Sequence, residues 1–170
     1  MTGKTSSEKN LILGVGNIIM GDEGFGVHVA RRLKETGLPD DVVVEEGGVG
    51  GFNLLGSLDG IKRVIVVDVM MTDITPGDVL LFKPGPDFGE PGKRIISFHQ
   101  VGVLELVQLW SLLGYETEVF FLVTRPEKLE WSTELSPAVQ TAADKAVGLI
   151  KELSRDNFAS LERSESLCTL

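Results

Sequence analysis

The chain has 170 residues, 42% of them hydrophobic and 24% charged, with a formal net charge of −9 and one cysteine, Cys168. That length supports one core that buries roughly 70% of the extended chain's surface, and a lone cysteine excludes an internal disulfide. The acidic balance argues against a nucleic-acid partner, which needs a basic face. No apolar run reaches the ~18 residues of a bilayer span, and the polar opening Met1 to Asn10 has no signal-peptide pattern. The expectation is a cytoplasmic protein without membrane insertion.

In chain order, a polar extension over 1–9 precedes a domain over 10–155, and a polar tail over 156–170 is expected to fray. Leu11 to Val15 reads as a buried first strand. Asp22 is placed to cap a helix running to about Glu35, stopped by Gly37 and Pro39. Val42 to Glu45 is a β-branched second strand, and Gly47, Gly48, Gly50 and Gly51 form a flexible loop before a short helix near Phe52 to Leu58. Arg63 to Asp68 is apolar on both faces, as a central parallel strand should be.

Val79 to Phe82 is a fourth strand. A loop rich in Pro and Gly leads to a helix from about His99 to Leu113, with Val103, Leu106, Val107, Trp110 and Leu113 on one stripe. Glu118 to Val123 is the fifth strand, and Pro137 opens the last helix after Ser136. Strands alternating with helices predict an α/β fold: one domain, with a mostly parallel, twisted five-stranded sheet and helices on both faces.

Ligands on such sheets bind beyond the carboxyl ends of the strands, where strand order reverses. Glu23 follows the first strand, Asp68 ends the third, and His99 follows the loop after the fourth. Two carboxylates and an imidazole thus converge on one edge. Singly, each has a structural reading: acids suit a helix N-terminus, and a histidine can simply pack. Asp68 is the hardest to explain that way, because an acid ending an apolar strand must be solvated, paired or metal-bound. His28, Trp110 and Trp131 are read as structural.

Gly14-x-Gly16 after a strand suggests dinucleotide binding, but the third glycine would fall at Ile19, and Asp22 and Glu23 would repel a pyrophosphate. A phospho-receiver module, with Asp68 as phosphoacceptor, also fits acids at these strand ends. Against it, the acids come late after the first strand, Arg125 stands where such modules carry lysine, and His99 would have no role.

Leu13-Gly14-Val15-Gly16-Asn17-Ile18 with Gly21-Asp22-Glu23-Gly24-Phe25-Gly26-Val27, then Val67-Asp68, then Ser97-Phe98-His99-Gln100-Val101-Gly102, resemble three motifs of the nickel hydrogenase maturation endopeptidases. Glu46-Gly47-Gly48-Val49 is similar to that family's glycine loop, with Glu for the usual Asp and Val49 for a Thr. The resemblance implies an endopeptidase that removes the C-terminal extension of a hydrogenase large-subunit precursor after nickel insertion. It puts the metal ligands on Glu23, Asp68 and His99, which are also the catalytic set, and substrate binding on Glu46, Gly47 and Gly48. The metal would be a divalent ion: nickel held by the enzyme or supplied by the substrate, with zinc or cadmium able to substitute. Asp22 is a further candidate for orienting the site or moving a proton.

Overall fold

The computed structural model describes residues 8–49, 60–85, 105, 108–109, 111–163 and 168–169. The short helix expected near Phe52 to Leu58, and most of the helix expected from His99, lie outside them; residues 105, 108, 109, 111 and 112 are helical. The elements are β1 (Lys9–Val15), a 3-10 turn (Gly21–Gly24), α1 (Phe25–Glu35), β2 (Val42–Gly48), β3 (Ile61–Val69), β4 (Val79–Phe82) and β5 (Glu118–Thr124). They continue with α2 (Pro137–Arg155), α3 (Ala159–Arg163) and β6 (Cys168–Thr169).

The sheet order is β2-β1-β3-β5-β4-β6. The four strands β2, β1, β3 and β5 are parallel, and β4 runs antiparallel to β5. The α/β architecture is as expected, and strand order reverses between β1 and β3.

Alternation along the strands divides the core between the two faces. Ile12, Ile65, Val67, Phe120 and Leu122 meet Phe25, Val29 and Leu33 of α1 and Val139, Ala142, Ala146 and Ile150 of α2. Leu11, Leu13, Val15, Val64, Val66, Phe121 and Val123 form a separate cluster. Each fully buried Leu, Ile or Phe is worth about 1.5–3 kcal/mol, so the faces pin the strand register. Ser136 caps α2, its hydroxyl accepting from the Val139 amide at 3.4 Å, with Pro137 at the first position.

Two boundaries differ from expectation. Residues 156–163, expected to belong to a fraying tail, are folded: α2 runs to Arg155, and Phe158 and Leu161 enter the first-face core. The backbone turns back through Asn157 and Phe158, both at positive φ (54° and 58°), a conformation that costs about 1–2 kcal/mol per residue. Burial of Phe158 offsets that cost, as do bonds from Asn10 Nδ2 to Asn157 Oδ1 (2.8 Å) and from the Phe158 amide to the Leu153 carbonyl (2.8 Å). Cys168–Thr169 then adds a sixth strand beside β4. The second difference is that β2 continues to Gly48, so Gly47 and Gly48 belong to its end. Gly14 pairs with Glu46 and Val15 with Gly48, which makes Gly47 the extra residue of a bulge.

Candidate functional site

The segment after β1 folds backbone onto backbone. A Cβ on Gly16 would overlap the Glu23 carbonyl oxygen, and one on Gly14 would overlap that of Gly26. A Cβ on Gly26 would collide with the carbonyl oxygens of both Val15 and Val67. Glycine at these places lets the start of α1 sit directly on the ends of β1 and β3. The Asn17 amide donates to the Glu23 carbonyl (3.2 Å), and the Gly16 amide to that of Gly48 (3.1 Å). The Gly14-x-Gly16 spacing therefore serves close packing at this edge.

Glu23, half-buried in the 3-10 turn, is held at the edge where β3 ends with Asp68 and Val69. Asp68 is fully buried, its Oδ1 accepting from the Val69 amide at 2.8 Å. It shares strand parity with Val64 and Val66, and its partner in β5 is Val123. Two carboxylates brought to one edge present hard oxygen donors suited to a divalent cation. Among the described residues no three His, Cys, Asp or Glu side chains gather into a metal-sized cluster. His99, the expected third member, lies outside the described residues.

Glu46 and the two glycines after it also end at this edge, since β2 pairs with β1 through Gly14 and Val15. The Glu46 carboxylate is paired with α1, to Arg31 Nε at 3.1 Å and Lys34 Nζ at 3.5 Å. Gly48 has φ +53°, and among the described residues nothing lies within 4 Å of where its Cβ would stand.

Asp22 does not cap α1, whose N-cap is Gly24 with no side-chain bond. Its fully buried carboxylate instead accepts four hydrogen bonds from the far end of the chain. Oδ2 takes the Glu127 amide (2.8 Å), the Lys128 amide (2.7 Å) and the Ser136 hydroxyl (2.9 Å), while Oδ1 takes the Ser136 amide (2.7 Å). Through these four hydrogen bonds Asp22 anchors the turn that carries Glu23 to the loop after β5 and the start of α2. Neither spacing nor residue type in the sequence links positions this far apart.

The sequence reads both His28 and Trp131 as structural, and only Trp131 departs from that reading. His28 lies against Gly24, one residue from Glu23: a Cβ on Gly24 would stand 3.3 Å from the imidazole Cδ2. Its Nε2 is buried without a hydrogen-bond partner among the described residues. Burial pushes the imidazole pKa below its ordinary value; Arg31 and Arg32 add to the shift, and a backbone hydrogen bond at Thr133 opposes it. Trp131 was expected to pack, yet it is 79% exposed.

A family model described as hydrogenase maturation protease matches residues 27–153. The chain belongs to the hydrogenase maturation protease family. Its relatives include the hydrogenase expression/formation protein HupD of Rhodobacter capsulatus, 33% identical over 86% of this chain and 71% of that protein. The hydrogenase 2 maturation protease of Escherichia coli is 30% identical over 86% of this chain and 91% of its own length. The solved structure of the hydrogenase maturating endopeptidase HybD from Escherichia coli superposes with a TM-score of 0.75 at 27% identity, covering 88% of this chain and 94% of that one. The protease is thus a member of a peptidase family, and the receiver-module alternative with Asp68 as phosphoacceptor is not supported. Among the described residues, no helix is long and apolar enough to cross a membrane.

Proposed function

We propose that the protease removes the C-terminal extension of a hydrogenase large-subunit precursor after nickel insertion, with Glu23, Asp68 and His99 as ligands of the divalent ion at which the peptide bond is cut. The observation that carries this reading is the glycine-lined closure that brings the Glu23 turn onto the ends of β1 and β3, beside the fully buried Asp68. A divalent ion held by Glu23, Asp68 and His99 would polarise a scissile carbonyl and lower the pKa of a bound water. Asp68 stays oriented because one oxygen is engaged by the Val69 amide. Glu23 is set by its turn, which Asp22 fixes. Glu46, Gly47 and Gly48 form the substrate's approach: the Arg31 and Lys34 pairs hold Glu46 against α1, and the open side of Gly48 admits a substrate backbone.

Three side-chain donors leave a coordination sphere incomplete, so the substrate's own nickel can complete the site. The protease then gains binding energy from the metal only when the precursor is loaded. The experiment is a time course on nickel-loaded and nickel-free precursor with chelator-treated protease, read by intact mass. The loaded form should lose its extension, and Asp68→Asn and Glu23→Gln should leave it uncut while circular dichroism stays unchanged. Titration of the isolated protease with nickel, zinc or cadmium supplies a second readout. At about 100 times the dissociation constant, a bound ion adds ~2.7 kcal/mol of stability, a rise in Tm on the order of 5–10 °C. Rapid cleavage of nickel-free precursor, or full activity of Asp68→Asn, would refute the reading.

A further inference from the structure

We infer that the loop from Lys128 to Ser132, together with Ile19, is the surface by which the protease grips its folded protein substrate, with Trp131 as the central anchor. The inference rests on the function proposed above and names the protein contact it requires.

The exposed apolar side chains are distributed unevenly. Among the described residues nine large hydrophobics are exposed, and five of these follow the carboxyl ends of the parallel strands: Ile19, Val49, Met71, Leu129 and Trp131. They come from the loops after β1, β2, β3 and β5, so all four parallel strands contribute to the edge that carries Glu23 and Asp68. A soluble domain gains nothing for its own fold by holding an indole 79% in solvent, and clustered exposed apolar groups mark interaction sites.

The loop is also built to be stiff. The Gly21 amide donates to the Ser132 carbonyl (2.7 Å), the Ser132 amide to the Ile19 carbonyl (3.1 Å), and the Asp22 amide to the Lys128 carbonyl (3.0 Å). The Asp22 carboxylate holds the amides of Glu127 and Lys128 from the other side. Leu129, Glu130 and Trp131 are therefore carried between two pinned ends, and presenting them to a partner costs little ordering entropy. The sequence around them alternates apolar and charged: exposed Lys128 and Glu130 interleave with Leu129 and Trp131. That is the anatomy of an apolar hot spot with a polar rim, in which Trp is the favoured anchor.

The occupant is the folded large-subunit precursor rather than a free peptide. Backbone bonds lock the patch to the Glu23 turn, so a partner seated on Trp131 and Ile19 is registered directly against the site. A short C-terminal peptide reaching Glu23 and Asp68 would not cover loops drawn from four strands.

The experiment compares wild type, Trp131→Ala and a Leu129→Ser, Trp131→Ala double variant. Binding and cleavage are measured on nickel-loaded precursor, and self-association by analytical ultracentrifugation. Both changes lie on exposed side chains, so Tm should move by no more than about 2 °C. The double variant should bind precursor at least tenfold more weakly and show a correspondingly raised KM, with kcat retained at saturation. Wild-type precursor binding and KM in the double variant would overturn the inference. Loss of a wild-type homodimer with precursor binding intact would assign the patch to a second copy of the chain and overturn it equally. If wild type binds precursor through Trp131 but never cuts it, the docking surface stands and the proposed activity fails.

Discussion

Replacing Asp22 by alanine should unfold the connection between the Glu23 turn and the second half of the chain, at a cost large for one exchange. The carboxylate accepts four hydrogen bonds at 2.7–2.9 Å. The two from Ser136 are buried, and alanine leaves that amide and hydroxyl without an acceptor, at about 1–3 kcal/mol each. Those from Glu127 and Lys128 are partly buried, so water recovers much of their loss and about 1 kcal/mol remains for the two together. The total comes to about 3–7 kcal/mol, or on the order of 10–20 °C in Tm for a chain of this size. Asp22→Asn retains one acceptor oxygen but turns an amide N–H toward the donors, and should cost about half as much. Urea denaturation of wild type and both variants measures this: the midpoint should fall in the order wild type, Asn, Ala, with the slope unchanged. An alanine variant melting within about 2 °C of wild type would refute the anchoring role. If Asp22 instead moved a proton, Asp22→Asn would lose cleavage while its melting curve stayed at the wild-type position.

His28 and Arg63 lead to two further expectations. Because burial holds the His28 pKa below its ordinary 6.5, the imidazole is neutral in the fold over a range where the unfolded chain takes up a proton. Stability therefore falls as pH drops through about 6.5 and levels off below the folded pKa. His28→Gln should flatten that part of the urea-midpoint profile between pH 7.5 and 5; parallel profiles for the two proteins would contradict the assignment. Arg63, 2% exposed at the start of β3, bonds to Glu118, Glu162, Asn10 and the Asn157 carbonyl. Arg63→Ala should cost about 3 kcal/mol and expose residues 156–163 to proteolysis. A protease-resistant tail in that variant would show that Phe158 and Leu161 alone hold it.

The features visible in the sequence were those set by near neighbours along the chain. β3 was readable because Val64 to Val67 are β-branched and buried on both faces, and α2 because Ser136 and Pro137 are a start signal on their own. The placement of Glu23 and Asp68 at one edge followed from topology, since β1 and β3 flank the reversal of strand order. The α3 turn was not readable: Asn157 and Phe158 adopt positive φ only because Asn10 and Arg63, at the other end of the sheet's strands, receive them. The exposure of Trp131 was equally hidden, because pattern alone cannot separate an indole bound for the core from one on a pinned loop.

Asp22 shows why the site itself divides in the same way. The metal-ligand candidates could be nominated from their strand positions, but the device that steadies one of them joins residues 105–114 positions apart. Through it, the start of α2, the loop after β5 and the turn after β1 form one rigid unit. A substitution at Ser136, remote in sequence from any ligand, therefore acts on both the orientation of Glu23 and the loop that carries Trp131. In the proposed reading, the catalytic geometry at Glu23 and substrate docking at Trp131 are coupled through a single buried carboxylate.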